Sequence, residues 1–287
     1  MFKRFINWPG WKYVFISCAW LISLGGIVVL MSFIEVKKAG AVCKDVKIYM
    51  PGNEYFIDKQ EIGSILHMSS TQLVGRRIES INMHDLEKKL NANPFIEMAR
   101  VYADMDGIIS IEITQRVPVL RVIDKDEQDF YIDQHGLKIP MSDNFTAKVI
   151  AASGDINEPF GGRVDTIHTA LVKDIFKTAQ FINNDSLWSA QIAQIYVNEK
   201  QEIELIPRVG SQRILLGNAD SLATKFANLK TFYKKALPMV GWEAYKIINI
   251  KYANQVVGIK NENMKRDSAR NAADTSKVKT DTTLIKH

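Results

Sequence analysis

The sequence predicts an α+β protein: a single transmembrane helix, then a small β-α-α-β-β module, then a mostly antiparallel β domain with two flanking helices. Three observations carry this prediction. Residues 13–34 contain no charged side chain. Residues 58–92 hold two capped amphipathic segments followed by a strand, a turn and a strand. From residue 118 onward, short runs rich in Val, Ile and Leu are separated by turn residues and interrupted by two helical patterns.

The uncharged run is about 33 Å long as a helix, enough to cross the hydrocarbon core. Trp8, Trp11 and Tyr13 lie at its start, where aromatic rings favour the interface, and Lys3, Arg4 and Lys12 precede it. Lys37, Lys38, Lys44 and Lys47 follow closely, so basic residues do not set the orientation. The preceding tail is short, and long domains translocate largely regardless of charge. The competing reading is a cleaved signal peptide, for which Ala39-Gly40-Ala41 supplies small residues, but the run exceeds a typical h-region of about 7 to 15 residues. A lipoprotein reading of Cys18 fails because the apolar run continues past it. The segment is read as a signal anchor.

Residues 45–50 read as a strand ending at Pro51-Gly52. Asp58, with Glu61 three residues on, caps a helix over 58–67 whose Ile62, Ile65 and Leu66 share a face. Asn82 caps a second helix with Leu86 and Leu90 inward, and Asn93-Pro94 ends it. Residues 95–103 and 108–115 form a hairpin around Asp104-Met105-Asp106-Gly107, and Ile109, Ile111 and Ile113 alternate with polar residues. Further strands are expected at 119–123, 130–132, 137–140, 148–152, 192–197, 202–206 and 213–216, with a turn at Asp133-Gln134-His135-Gly136. A helix over 165–181 places Ile167, Leu171, Ile175 and Phe176 on one side, and another, capped near Asp220 and running to Leu237, buries Leu222, Phe226, Leu229 and Phe232. A final hairpin pairs 246–252 with 256–260. Residues 261–287 have six basic and four acidic side chains and no aromatic, too little apolar surface to offset ordering, and read as a disordered tail.

The element order, the phrase NPFIEMARVYADMDGIISIEI and the exit Gln115-Arg116-Val117-Pro118-Val119 resemble the POTRA domain of the FtsQ/DivIB family of bacterial cell-division proteins. Phe95 stands where that family often has Trp, and Asp106-Gly107 replaces a usual Pro. Residues 133–140 resemble the family's next hairpin, Leu216-Gly217-Asn218 its pre-helix motif, and Ile248-Asn249-Ile250-Lys251-Tyr252 its late strand, with Asn for Asp and Lys for Arg. The implied organisation is a cytoplasmic tail (1–12), a transmembrane helix (13–34), a POTRA domain (44–117), a β domain (118–260) and the tail.

No chemistry converges in the chain. The five histidines and two cysteines show no metal-ligand spacing, and there is no nucleophile elbow, phosphate loop or dinucleotide fingerprint. No catalytic residue, metal or cofactor is expected. The net charge of +5 is spread among interleaved acids, which argues against nucleic acid. No small-molecule substrate is implied. Cys18 lies in the apolar run and Cys43 just beyond it, so no disulfide framework exists. Asp104 and Asp106 read as turn residues. The charged stretch Asp124, Lys125, Asp126, Glu127, Asp129 reads as a solvated loop, and Arg76-Arg77 as an exposed loop that also suits an anion or a partner.

The resemblance implies a scaffold in the bacterial inner membrane at the division septum, single-pass, with its C-terminal domains periplasmic. Its partners are FtsB/FtsL-like coiled-coil division proteins and other divisome membrane proteins. The family docks the coiled-coil proteins on the last strands, which here implicates Lys251, Tyr252, Asn254, Val256 and Gly258, with Tyr252 as anchor; the plain alternative is that Tyr252 packs within its own sheet. Gln115, Arg116 and Val119 match the family's interdomain segment. A second reading is a POTRA-type substrate-handling protein of secretion or outer-membrane assembly, although those carry several such modules and a barrel. A third is an anchored extracytoplasmic enzyme.

Overall fold

The computed structural model describes residues 9–38, 41–52, 56–67 and 73–261. Most of the expected cytoplasmic tail, Ala39 and Gly40 of the cleavage pattern, and residues 262–287 of the expected disordered tail lie outside them. Helix α1 spans Pro9–Lys38, with proline at the position where its missing N–H costs nothing. Its stretch Tyr13–Met31 has mean hydropathy 2.4 and its apolar side chains are exposed, so the helix is long and apolar enough to cross a membrane.

Beyond the helix the chain divides between Gln115 and Arg116. The first unit contains β1 (Asp45–Tyr49), α2 (Lys59–His67), a 3-10 turn (Ile78–Ser80), α3 (Met83–Asn91), β2 (Ile96–Ala103) and β3 (Ile108–Gln115). The caps read from the sequence form: Asp58 Oδ1 accepts the Glu61 amide at 2.6 Å, and Asn82 Oδ1 accepts the Asp85 amide at 3.1 Å. The sheet order is β1-β3-β2, with β1 parallel to β3. A parallel neighbour needs a long crossover, and the two helices supply it. Ile109, Ile111 and Ile113 project onto the face that packs with Ile62, Leu66, Leu86 and Leu90. Each such side chain contributes about 1.5 to 3 kcal/mol on burial.

Asp104 Oδ1 accepts the amides of Asp106 and Ile108, both at 2.9 Å, which makes the two aspartates turn formers. Gly107 has φ +89°, and a Cβ there would stand 2.5 Å from Val42 O. The Arg76-Arg77 segment is held by its backbone: Arg77 bridges Val42, and Cys43 N donates to Arg76 O at 2.8 Å.

The second unit begins with β4 (Pro118–Ile123), β5 (Asp129–Asp133), β6 (Leu137–Pro140), β7 (Ile150–Gly154) and β8 (Asp165–Thr166). It continues with α4 (Ala170–Asn183), α5 (Ser186–Gln191), β9 (Ile192–Val197), β10 (Ile203–Pro207) and β11 (Arg213–Gly217). The last elements are α6 (Leu222–Lys235), α7 (Leu237–Val240), a 3-10 turn (Trp242–Ala244), β12 (Tyr245–Asn249) and β13 (Val257–Lys260). The ten strands form one sheet, β13-β12-β11-β10-β9-β7-β4-β5-β6-β8. Most pairings are antiparallel; β4–β7, β7–β9 and β11–β12 are parallel. The last two are joined through α4/α5 and α6/α7, the crossovers that parallel neighbours require. The core gathers Leu120, Ile132, Val172, Ile175, Trp188 and Phe226 among others.

Four sequence expectations need correction. The helix expected from residue 165 begins at Ala170, because 165–166 is a strand pairing with β6 and Thr169 is the N-cap, its Oγ1 accepting the Val172 amide. Ile167 is therefore buried ahead of the helix, and Val172, Ala179 and Ile182 join Ile175 in facing the core. Asp220 does not cap α6; Ser221 precedes it at φ +54° without a side-chain cap, and α6 ends at Lys235 before a separate α7. The late strand stops at Asn249, so Lys251 and Tyr252 lie in the connection to β13. Helix α5 was not expected; it is short, but Asp185 Oδ1 accepts the Leu187 and Trp188 amides at 2.8 and 3.3 Å.

A buried ionic cluster explains where α4 starts. Lys138 on β6 and Glu158 have no exposed side-chain surface and meet at 2.9 Å. Glu158 also accepts the amides of His168 and Thr169 and the Thr169 hydroxyl, at 2.8, 2.9 and 2.6 Å. The carboxylate thus sits at the N-terminus of α4, where backbone N–H groups and the helix dipole favour an anion. These hydrogen bonds and Lys138 outweigh the cost of its burial and hold its pKa below the usual glutamate value.

Candidate functional site

The β12–β13 hairpin forms one border of the large sheet. In register, Ile247 faces Ile259 and Asn249 faces Val257. Val257 and Ile259 are 45% and 50% exposed. The outer side of β13 has no neighbouring strand among the described residues, so it presents free backbone donors and acceptors. The opposite border is different: β8 is only two residues long and is backed by the Lys138–Glu158 cluster, since Asp165 lies 3.7 Å from Lys138 Nζ.

The five residues implicated at the hairpin separate into two groups. Lys251, Tyr252 and Asn254 line one open depression of about 770 Å³, together with Glu202, Asn218 and Lys225. Tyr252 is 56% exposed. Lys251 makes an ion pair with Glu202, which raises the lysine pKa and lowers that of the carboxyl. The Lys251 amide also donates to Asn249 Oδ1 at 2.9 Å, shaping the turn out of β12. Val256 instead packs on the core. Gly258 lies under the Tyr245 ring, where a Cβ would stand 2.5 Å from Cε1, so the ring covers a position only glycine leaves open.

Lys225 was not singled out by the sequence, where it reads as one more helix lysine. It is 2% exposed, and its Nζ donates to Leu216 O, Asn218 O and Asn218 Oδ1 at 3.1, 3.0 and 3.0 Å. Burial lowers its pKa. It pins the β11–α6 junction that forms one wall of the depression. Val257 and Ile259 were also missed; two branched apolar residues flanking a glycine at a chain's last strand are the signal that could have found them.

The three junction residues fall in different units. Gln115 Oε1 accepts the Phe56 amide at 2.9 Å and belongs to the first. Arg116 Nη1 contacts Asp133 Oδ2 at 2.8 Å in the second, where Val119 O accepts Asn183 Nδ2 at 3.1 Å. Among the described residues no group of three or more His, Cys, Asp or Glu side chains is arranged to hold a metal ion.

Comparison with known families matches residues 41–114 to a POTRA-like domain and residues 117–259 to the FtsQ/DivIB C-terminal related domain. No curated protein matched the chain. The two matches run consecutively in the order that the strand pairings and helix crossovers establish, behind one helix able to span a membrane. The chain therefore belongs to the FtsQ/DivIB family of cell-division proteins.

Proposed function

We propose that the protein is a non-catalytic divisome scaffold that captures FtsB/FtsL-like coiled-coil partners by strand addition on β13 and links them to septal cell-wall synthesis. Its two folded units lie on the extracytoplasmic side of the inner membrane. The observation that carries this reading is the border strand β13, with no neighbouring strand on its outer side among the described residues and with Val257 and Ile259 exposed. Strand addition draws affinity from backbone hydrogen bonds and specificity from alternate side chains. Tyr252, with Lys251 and Asn254 beside it, offers an amphipathic anchor next to that edge. Gln115, Arg116 and Val119 serve the junction between the units rather than the partner.

The test is binding of the full-length chain in detergent to purified FtsB/FtsL-like proteins, comparing wild type with Tyr252→Ala and Ile259→Lys. An anchor tyrosine worth about 2 kcal/mol corresponds to a loss of about 30-fold in affinity. Retained circular dichroism with weakened binding supports docking at the hairpin. Undiminished affinity in both variants removes the hairpin as the site, and no binding by wild type removes the scaffold reading itself.

A further inference from the structure

At the end of the sheet where β12 begins, the β10–β11 loop and the connection formed by α7 and the 3-10 turn carry apolar side chains into solvent. Val209 is 48% exposed, Met239 85%, Val240 46% and Trp242 38%. These loops are anchored rather than loose. Leu237 is buried, the Trp242 ring stands edge-on to Tyr233 at 5.3 Å, and Ser211 Oγ donates to Glu243 Oε2 at 2.6 Å, tying one loop to the other. The exposure is thus a feature of the folded domain.

The surrounding charge is one-sided. Residues 208–213, 230–246 and 257–261 contain seven basic side chains and one acidic, Glu243. Arg208, Lys234, Lys235, Lys246 and Lys260 are exposed and make no ion pair among the described residues. An apolar tip with a tryptophan, ringed by unpaired cations, matches the headgroup region of an anionic bilayer. Indole rings settle at that depth, lysine stems lie along hydrocarbon while their ammonium groups reach phosphate, and anionic lipid attracts each cation. A nucleic acid would answer the charge but not Met239 and Val240. The chain's own apolar helix supplies the lipid surface, because it keeps the β domain tethered to a membrane.

We propose that this tip is a second, peripheral membrane contact, with Met239, Val240 and Trp242 inserted shallowly among anionic phospholipid headgroups and Arg208, Lys234 and Lys235 on their phosphates. The contact is independent of the β13 edge and of what docks there.

The test uses the full chain carrying Cys18→Ser and Met239→Cys, labelled at the new thiol with a polarity-sensitive fluorophore; Cys43 is buried, and burial raises its thiol pKa. The protein is reconstituted into phosphatidylcholine vesicles and into vesicles that also contain phosphatidylglycerol, each with and without headgroup nitroxide lipid. The expected result is a blue-shifted emission and several-fold stronger nitroxide quenching in the anionic vesicles, weakened by added salt and lost on adding Arg208→Gln, Lys234→Gln and Lys235→Gln. Water-like, unquenched emission in both vesicle types overturns the proposal. Equal quenching in both overturns the role of the cations. A blue shift already present in detergent that grows with protein concentration assigns the tip to a second copy of the chain instead.

Discussion

Arg116 and Asp133 form an ion pair at 2.8 Å in which the carboxylate has no exposed surface. The other oxygen of Asp133 accepts the amides of His135 and Leu137, both at 2.9 Å. One side chain therefore shapes the β5–β6 turn and fixes the first residue of the second unit. Arg116→Ala strands a buried charge and should cost about 3 to 5 kcal/mol in chemical denaturation. Arg116→Lys should cost less, since the charge remains but the planar fork does not. A loss below about 1 kcal/mol for the alanine variant would mean that solvent reaches the carboxylate.

Gly258 tests whether a residue implicated in docking acts through the fold. Gly258→Ala forces the Tyr245 ring away and should destabilise the domain by about 1 to 3 kcal/mol, the usual range for overpacking. Amide exchange should rise in β12 and β13 together. Combining it with Tyr245→Ala should recover part of the hairpin's protection. A docking role alone predicts weaker partner binding with unchanged exchange.

Acid stability should depend on the Glu158 cluster. The pKa values of Glu158 and Asp165 are lowered in the folded protein, the first chiefly by its hydrogen bonds and Lys138, the second chiefly by His168 at 2.6 Å. The unfolded chain then binds more protons in this window, so the stability these groups contribute is present above the ordinary values of 4.5 and 3.8 and is lost as pH falls through the depressed ones. The melting temperature of wild type should drop steeply below about pH 4.5. Glu158→Gln should melt lower at pH 7 and show a shallower acid dependence. Parallel curves for the two proteins would show that the cluster is not linked to acid unfolding.

Alkaline stability has the opposite sign. Burial pushes the Tyr233 hydroxyl up to about 12 from its ordinary 10.0, so the folded protein holds that proton more tightly than the unfolded chain. The stability it contributes is complete below pH 10 and is lost as pH rises toward 12. Tyr233→Phe keeps the ring against Trp188 and Trp242 and should flatten the denaturation profile across that interval. An unaltered alkaline limb would place the relevant ionisation elsewhere.

Local patterning made much of this fold legible. A run of twenty-two uncharged residues must satisfy its backbone internally in lipid, so the helix near the N-terminus follows from residues 13–34 alone. Caps at Asp58 and Asn82 and the alternation of Ile109, Ile111 and Ile113 are short-range signals, and the corresponding elements form where those signals lie. The final hairpin was legible in outline, although the strand expected to run through Tyr252 stops at Asn249. What depended on distant residues was not. Thr169 starts α4 because Glu158, eleven positions earlier, takes its amide, and Lys138 on β6 fixes Glu158. Only tertiary structure showed that Gly258 serves Tyr245 and that Lys225 is buried. Sequence periodicity reports which face of an element is apolar; which element lies beside it, and which edge is left without a neighbour, is settled by packing between segments far apart in the chain.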